Sequence, residues 1–458
     1  MQLLDLLLIS YIKDISSFGS TYVVEHPASI SLPIAGMYNL LKDEINVKIY
    51  NPHLLHSSIE IPEAKYYGIS VYTTEFRASI NLIKEIKNKY SDSIIFVGGF
   101  HAKSDPLSFI KYKEIDFVAY GDGLQVVEDL FINNKDIKDI DNIITQENKE
   151  INFKTTKKYN ISYFLNKEAF YGIDWNYLET NKLDEISFIW VYSSTGCIYD
   201  CNFCTNKRLT QRKITIPNCN TVVDDINKLL TEYPYIKMIN ISDPNSSNPI
   251  PKYRTYLDEL LSKLDNSKLI DNDVYLGLFT EMNKADDDFF NVLSKHKVKY
   301  MLQVGVDHFS NVVLEDMGKV QNNNTIFNFI DLIKKYNINT DYIVSNIIIG
   351  TPKESVDFIP ESINMYKKIY KLCYDNGIHF DLSVTNLWLL PKTYYYENRF
   401  EHPDKYVTDI DWYEQTKSYK DQEFYEISVG LTNEWITYCN NIRRKLLTEF
   451  RDYRNSFY

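Results

Sequence analysis

Cysteine is scarce in this chain: six of the 458 residues are cysteines, and three of those fall within eight positions. Three clustered and three scattered thiols in so long a chain form a poor disulfide framework, which argues against a secreted fold held by disulfides. Glycine and proline are also infrequent, at 15 and 14 residues. Their scarcity excludes collagen-like and low-complexity architectures, and the composition is that of a globular protein.

Basic residues are outnumbered by acidic ones, 50 against 62, and the formal net charge at pH 7 is −12. Such a balance argues against nucleic acid and against anionic membranes as partners. The apolar N-terminus MQLLDLLLIS is too short to span a membrane and carries Asp5 instead of a basic start. We interpret it as a buried strand, and we expect a cytoplasmic protein without a membrane anchor.

The first third of the chain alternates strand and helix patterns, and we expect residues 1–135 to form one α/β domain. Apolar runs of strand length occur at 3–9, 46–50, 66–72, 93–97 and 116–120. Helical patterns lie between them, at 33–42, 76–89, 104–113 and 124–133, and the alternation predicts a doubly wound, Rossmann-like parallel sheet. Ligands of such sheets bind at the carboxyl ends of the strands, which here are rich in Gly, Ser, Thr and Asp. Ordinary turns share that composition, so it does not by itself establish a ligand site.

The remaining chain is expected to form a linker, a second α/β domain and a tail. Residues 136–185 are polar and irregular, which predicts a connector, and residues 401–458 contain the pattern of a C-terminal helix. Strands are predicted at 187–193, 237–242, 274–280, 299–306, 341–349 and 379–389, with helices between them. Six strand–helix units in series predict a partial (βα)6 barrel over 186–400, with its site at the carboxyl ends of the strands.

The three clustered cysteines, Cys197, Cys201 and Cys204, follow the first predicted barrel strand with the spacing C-x3-C-x2-C. Three thiolates on one loop can hold three irons of a [4Fe–4S] cube, whose usual complement is four cysteines. The fourth iron is then open to the amine and carboxylate of an amino acid. A cluster that binds S-adenosylmethionine (SAM) in this way can pass one electron to its sulfonium and generate a carbon radical.

Two other interpretations of the cysteines stay open at this stage. A zinc site would need a fourth ligand, and Cys219 is available fifteen residues further on, although it lacks the paired spacing of zinc knuckles. Alternatively, the three thiols are unrelated buried residues. A non-catalytic iron–sulfur or zinc protein is therefore a hypothesis to be tested beside an enzyme.

The motif STGCIYDCNFC resembles the signature of the radical SAM family. Three further segments resemble its later strands: VGVDHFSNVVLEDMGK at 304–319, NIIIGTPKES at 346–355 and LWLLPKTYYYE at 387–397. In the first of these, Asp307 stands where many members carry Glu. The resemblance implies that the three cysteines bind a [4Fe–4S] cluster. It assigns SAM contacts to Asp243, Glu281, Gln303, Gly350 and Leu390, the last two through their backbones.

The N-terminal third resembles the cobalamin-binding domain that precedes the barrel in one subgroup of that family. The segments IIFVGGFHAKSDP and DFVAYGDG are typical of it. The subgroup's fingerprint aligns with the stretch 14–19, and there the cobalt-ligand histidine is replaced by Ser16. We interpret the nearby His101 as a packing residue of its loop. The resemblance assigns cobalamin contacts to Asp14, Ser16, Gly19, Ser70, Tyr72, Thr73, Thr74, Gly98 and Gly99.

These resemblances imply a cobalamin-dependent radical SAM enzyme. Its most common activity is methylation of an unactivated carbon through a 5′-deoxyadenosyl radical and methylcobalamin. The alternative is a cobalamin-assisted cyclisation, rearrangement or ring contraction without methyl transfer. The expected partners are a small-molecule or peptide substrate and an external electron donor such as flavodoxin or ferredoxin. No catalytic side chain can be assigned from the sequence.

Overall fold

The computed structural model describes residues 3–10, 31–51, 60–154, 157–172, 188–210, 212–408, 413 and 430–457. These residues fall into two compact units. The first comprises the described residues up to 172 together with Tyr413, and the second comprises 188–408 and 430–457. None of the described helices is long and apolar enough to cross a membrane.

The first unit is built on a six-stranded sheet. Its strands are β1 (Leu4–Ser10), β2 (Val47–Tyr50), β3 (Ala64–Ser70), β4 (Ile94–Gly98), β5 (Phe117–Ala119) and β6 (Ile143–Ile144). They lie in the order β2-β1-β3-β4-β5-β6, and all pairs are parallel except β5 with β6. The α-helices are Leu32–Leu41, Phe76–Lys89, Gly99–Ser104 and Gly123–Phe131. The doubly wound sheet predicted from the sequence is thus confirmed.

The strand order of the first unit reverses between β1 and β3, and such a switch point opens a crevice at the carboxyl ends of the strands. The sheet lies at the centre of the unit. In β1, for example, Leu6, Leu7 and Leu8 are all fully buried, although their side chains point to opposite faces of the sheet. A strand with apolar residues on both faces needs cover on both sides, which the connecting helices supply. The segment expected to be a linker, 136–185, contributes the strand β6 to this sheet. The boundaries expected for the domains stay a prediction.

One predicted helix of the first unit is wrong in its position. The sequence suggested a helix over 104–113, whereas the structure has an α-helix over Gly99–Ser104 and a 3-10 helix over Pro106–Phe109. Asp105 separates them with extended backbone, at φ −142° and ψ 71°. A residue before proline is disfavoured in the helical region, which accounts for the break.

The second unit is an open sheet of six parallel strands in sequential order, as in a partial barrel. Its strands are β7 (Phe188–Val191), β8 (Met238–Ile241), β9 (Tyr275–Thr280), β10 (Lys299–Asp307), β11 (Thr340–Ile349) and β12 (His379–Asn386). Its α-helices are Asn206–Thr210, Cys219–Glu232, Pro251–Leu264, Lys268–Asp271, Asp287–Ser294, Asn311–Asp316, Thr325–Lys335, Ile359–Tyr374, Tyr394–Glu397 and Asn433–Asn455. The predicted six strand–helix units and the C-terminal helix are confirmed.

Candidate functional site

The cysteine loop begins directly after β7 and is turned by Gly196. This glycine has φ +98°, and a Cβ atom there would lie 1.8 Å from the carbonyl oxygen of Lys213. Thr195 and Thr215 exchange two backbone hydrogen bonds of 3.1 and 2.9 Å, which tie the start of the loop to the chain that follows it. Only glycine fits such a turn, so the sequence itself dictates where the loop folds back.

The three cysteines lie on one short loop at the carboxyl end of the barrel strands. The N–H of Cys204 donates to the carbonyl of Cys201 at 3.1 Å, and the N–H of Asn206 faces Cys204 Sγ at 3.5 Å. Cys197 and Cys201 are half-buried, while Cys204 is exposed. Burial raises the pKa of Cys197, and it raises the pKa of Cys201 to about 12. These thiols therefore ionise at neutral pH only when a metal supplies positive charge.

The zinc alternative requires ligands that converge on a single ion. Among the described residues, no three His, Cys, Asp or Glu side chains converge in a way that would hold one ion. A cube presents its irons at separate corners, so its ligands need not meet at one point. Cys219, the fourth thiol considered for zinc, is buried elsewhere and faces the carbonyl oxygen of Tyr256 at 3.8 Å.

Beside the cysteine loop lies a buried lysine that the sequence analysis did not single out. Lys319 Nζ is 2.5 Å from Glu281 Oε2 and 2.7 Å from Asp307 Oδ2, and its side chain is 4% exposed. Burial alone would lower the pKa of Lys319, but the two carboxylates outweigh it and raise this pKa. The positive charge of Lys319 also lowers the pKa of Cys201, against the effect of burial. A fixed cation thus lies next to the thiols, in the last position of the segment 304–319.

Asp243, an expected SAM contact, follows β8 and is enclosed by the protein. It is 1% exposed, its Oδ2 accepts a hydrogen bond from the buried Tyr253 hydroxyl, and burial raises its pKa. Its Oδ1 accepts no hydrogen bond from the described residues. The structure therefore places Asp243 at the expected edge of the barrel, where it is buried. A direct contact between Asp243 and a ligand stays a prediction.

Gln303, another expected SAM contact, lies in β10 next to a polar residue of β8. Its Nε2 donates to Asn240 Oδ1 at 3.0 Å, while its Oε1 has no partner among the described residues. Gly277, on the strand between them, makes room: a Cβ there would lie 1.6 Å from Asn240 Oδ1. An orphaned oxygen in this position suits a hydroxyl donor such as a ribose.

The backbone groups of Gly350 and Leu390, expected to contact adenine, are used within the fold. The N–H of Gly350 donates to Glu354 at 3.3 Å, and its carbonyl accepts from Tyr406 at 3.3 Å and from Trp435 at 3.2 Å. The N–H of Leu390 donates to Trp388, and its carbonyl accepts two hydrogen bonds from Thr393. Their role toward a ligand stays a prediction.

The tail contributes to the support of the cysteine loop. Phe203, between the second and third cysteines, packs against an apolar cluster that includes Leu387 and Leu389 after β12 and Tyr406, Leu431 and Trp435 of the tail. The loop is therefore wedged between the exit of the last strand and the C-terminal region. This contact was missed from sequence because nothing local in a polar tail indicates where it packs.

In the first unit, three of the expected cobalamin residues form the edge of the crevice. Ser70 ends β3 and Gly98 ends β4. Gly99 has φ +88°, and a Cβ there would lie 2.7 Å from Ser70 Oγ, so close approach of the two strand ends requires glycine. A Cβ on Gly98 would come no closer than 3.8 Å to any neighbour. A side chain could thus begin at Gly98 without a clash, in van der Waals contact with Ala119.

Tyr72, Thr73 and Thr74 follow β3 on the same edge. The rings of Tyr72 and Phe100 stack in parallel with their centroids 6.1 Å apart, and Thr74 is buried. Thr73 Oγ1 is 3.1 Å from Nδ1 of the fully buried His101, whose Nε2 is 3.1 Å from Ser108 Oγ. Both ring nitrogens are occupied, as expected for a packing residue. Asp14, Ser16 and Gly19 lie outside the described residues.

Comparison with known proteins defines the class. Residues 191–366 match the model of the Radical SAM superfamily, and no curated protein matches the chain. The chain therefore carries a radical SAM domain, and the three cysteines lie in it.

Two solved structures show the same fold over most of the chain. The radical SAM methyltransferase TsrM from Kitasatospora setae superposes with a TM-score of 0.65 at 14% identity, covering 86% of this chain and 76% of its own. The cobalamin-dependent SAM radical enzyme OxsB superposes with a TM-score of 0.64 at 15% identity, covering 89% of this chain and 63% of its own. The fold is thus that of the cobalamin-dependent radical SAM enzymes.

Proposed function

We propose that this protein is a cobalamin-dependent radical SAM enzyme that methylates an unactivated carbon atom. The observation that carries the proposal is the cysteine loop at the carboxyl end of β7, flanked by the buried cation of Lys319. The fold shared with TsrM, a radical SAM methyltransferase, supports the methyl-transfer part. The first unit adds a sheet edge of the kind that binds a large planar cofactor.

The residues beside the loop suit the groups of SAM. Bound there, a [4Fe–4S] cluster would supply one electron that cleaves a carbon–sulfur bond of SAM. Cys197, Cys201 and Cys204 would hold the cluster as thiolates. Lys319 stays protonated and holds the carboxylates of Glu281 and Asp307 in place, and Glu281 is one of the expected SAM contacts. Gln303 offers its unpartnered Oε1 to a ribose hydroxyl.

The crevice of the first unit suits cobalamin. We place the nucleotide tail over Gly98, because Gly98 has no side chain and an added Cβ would meet Ala119 only at 3.8 Å. The partly exposed rings of Tyr72 and Phe100 offer an aromatic surface on which a corrin could rest. His101 holds no free ring nitrogen for the metal. We therefore propose that His101 is a packing residue and that the residues after β3 would hold the cofactor.

The test uses the full chain, purified without oxygen and reconstituted with iron, sulfide and cobalamin. With a strong reductant and SAM carrying a deuterated methyl group, we expect 5′-deoxyadenosine to form and mass spectrometry to trace the labelled methyl group away from SAM. Cys204→Ala is the matched control and should do neither. Absence of SAM cleavage would favour a non-catalytic metal protein. Cleavage with all of the label left in methionine would favour a rearrangement or cyclisation.

A further inference from the structure

An asparagine inside the cysteine loop is bound to the turn that follows β10. Asn202 lies between Cys201 and Cys204. Its backbone N–H donates to the carbonyl of Met317 at 2.9 Å, and its side-chain Nδ2 donates to the carbonyl of Asp316 at 2.7 Å. The loop that carries the thiols is therefore fixed to another part of the barrel by two hydrogen bonds from one residue.

A tyrosine from the exit of β12 completes the arrangement. Tyr395 is 2% exposed, and its hydroxyl lies 2.9 Å from the carbonyl oxygen of Asp316 and 2.8 Å from Asp316 Oδ2. Its N–H points to the carbonyl of Asn202 at 3.4 Å. We call Asn202, Asp316, Met317 and Tyr395 the asparagine clamp. It joins the segments that follow β7, β10 and β12.

The turn held by the clamp also carries the lysine of the site. Gly318 has φ +71°, and a Cβ there would lie 3.2 Å from the carbonyl oxygen of Asp200 and 3.4 Å from the side chain of Asn202. The glycine thus permits the close approach of turn and loop. The next residue is Lys319, whose ammonium is fixed by Glu281 and Asp307. The position of Asn202 therefore determines how far the thiols lie from this cation.

We propose that Asn202 is a positioning residue, and that the asparagine clamp controls both the retention of the cluster and its reduction potential. The inference rests on the proposed function, since it requires a cluster on the three cysteines. A fixed cation favours the reduced cluster, which carries one more negative charge, and therefore raises its potential. Asn202 touches neither the irons nor SAM and acts through the spacing between loop and lysine.

The test compares five variants of the full chain, one of which, Lys319→Gln, removes the cation and supplies the reference shift. Asn202→Asp keeps the shape of the side chain but replaces the donor with a carboxylate that faces the carbonyl of Asp316. Asn202→Ala removes the side chain, and Tyr395→Phe removes the second donor to that carbonyl. Asn206→Ala is the matched control, because Asn206 lies on the same loop and contributes its backbone N–H to Cys204. Iron and sulfide content and an electron paramagnetic resonance titration of the potential are measured.

We expect Asn202→Asp and Asn202→Ala to retain less than half of the wild-type cluster. The potential of the remaining cluster should become more negative, in the direction that Lys319→Gln gives. Tyr395→Phe should shift it less with the same sign, and Asn206→Ala should match the wild type. Melting curves of the metal-free variants report whether the fold is kept, and Tyr395→Phe carries the test if Asn202→Ala does not fold.

Normal cluster content and potential in Asn202→Asp would overturn the inference, because the donated hydrogen bond would then be without effect. A defect confined to Asn202→Ala would do the same, since it would reduce the residue to packing. A wild-type chain that takes up no cluster overturns the proposed function together with the inference. The two failures are distinguishable because the second one needs no variant.

Discussion

The thiol of Cys201 ionises poorly by itself, because burial raises its pKa to about 12. Lys319 counters this effect, and Glu281 reinforces it. At neutral pH the Cys201 thiol is therefore protonated, and it would need the positive charge of bound iron to ionise. This dependence explains why a loop of three thiols can stay unreactive without metal and become a strong ligand set with it.

The first prediction is that Cys197→Ala, Cys201→Ala and Cys204→Ala each abolish cluster binding and the formation of 5′-deoxyadenosine. Each substitution leaves one iron without its soft anionic ligand. Iron and sulfide analysis and absorption spectra check the cluster, and chromatography checks the nucleoside product.

The remaining cysteines provide the controls, since all three are buried away from the loop: Cys219, Cys373 and Cys439. Their alanine variants should keep the cluster. Loss of metal in Cys219→Ala as complete as in Cys201→Ala would contradict the three-ligand arrangement and would favour a zinc site.

The second prediction concerns the pH dependence of stability. His101 is fully buried, and burial lowers its pKa from 6.5 to about 3. Below pH 6.5 the unfolded chain takes up a proton that the folded chain refuses until about pH 3, so acid favours unfolding over this range. Between pH 7.5 and pH 5, His101 should cost about 2 kcal/mol of stability.

Melting of the metal-free His101→Gln variant against the wild type between pH 7.5 and pH 5 measures this effect. The variant should lose less stability on acidification than the wild type. His402→Gln is the control, since His402 is only half-buried, and it should follow the wild-type curve. Parallel curves for His101→Gln and the wild type would show that His101 becomes protonated in the folded state.

Some residues of the site can be predicted from a local sequence pattern, and others can be found only from the tertiary structure. The cysteines and Gly196 were within reach of the sequence, because their spacing and the turn they need are local. Lys319 and Asn202 stand inside quoted segments, yet their partners are distant in the chain. Asp316 lies 114 positions from Asn202, and Glu281 lies 38 positions from Lys319. Such pairings require the order of the strands, which the sequence does not display.

At the scale of elements, the edge strand of the barrel illustrates how the tail is used. β12 ends the sheet, and an open edge offers unpaired backbone groups to other chains. The helix Asn433–Asn455 covers it: Arg443 Nε donates to the carbonyl of Val384 at 3.1 Å, and Asn386 donates to Asn440 at 2.9 Å. The helix Asn433–Asn455 is therefore a structural part of the second unit.

The third prediction is that Arg443→Leu destabilises the second unit. The substitution keeps apolar bulk but leaves the carbonyl of Val384 buried without its donor, at a cost of about 1–3 kcal/mol. Melting of the metal-free protein should show a fall of a few degrees, and light scattering should show more aggregation. Arg444→Leu is the control, because Arg444 is exposed. Equal melting temperatures for both variants would contradict the role of Arg443.

Most elements could be located from hydrophobic periodicity, and their ends could not. β1 was predictable because its buried leucines form an unbroken apolar run, as parallel strands do. The helix after β4 was misplaced because the two glycines before it suggested a loop, whereas the helix begins at Gly99 itself. Strand order, unlike strand position, could only be assumed, since it follows from contacts distant in the chain.

At the scale of the whole molecule, the chain combines two parallel sheets, each with its polar residues gathered at the carboxyl ends of its strands. In the second unit these ends carry the cysteine loop and Lys319. In the first unit they carry Ser70, Gly98 and the buried Thr73–His101 pair. The two-cofactor enzyme proposed here follows from this repetition, because each sheet edge suits one cofactor of a different shape.

The last prediction concerns cobalamin in the first unit. The sequence resemblance aligns Ser16, which lies outside the described residues, with the cobalt-ligand histidine of the subgroup. Both ring nitrogens of His101 are engaged within the fold. We therefore expect cobalamin to bind with its nucleotide tail detached and with no protein nitrogen on cobalt. Electron paramagnetic resonance of the cob(II)alamin form should then lack strong superhyperfine splitting from an axial nitrogen.

Gly98 allows the same prediction to be tested by binding. Its φ of −146° is open to any residue, and a Cβ would meet only Ala119 at 3.8 Å, so Gly98→Ala should fold like the wild type. If the tail passes over Gly98, the added methyl group and the larger side chain of Gly98→Val should weaken cobalamin binding progressively while the melting temperature of the cobalamin-free protein stays nearly unchanged. Unaltered affinity in both variants would place the tail elsewhere. Strong nitrogen splitting in the wild type would refute the unligated lower face, and failure of the wild type to bind cobalamin would remove the cofactor from the first unit altogether.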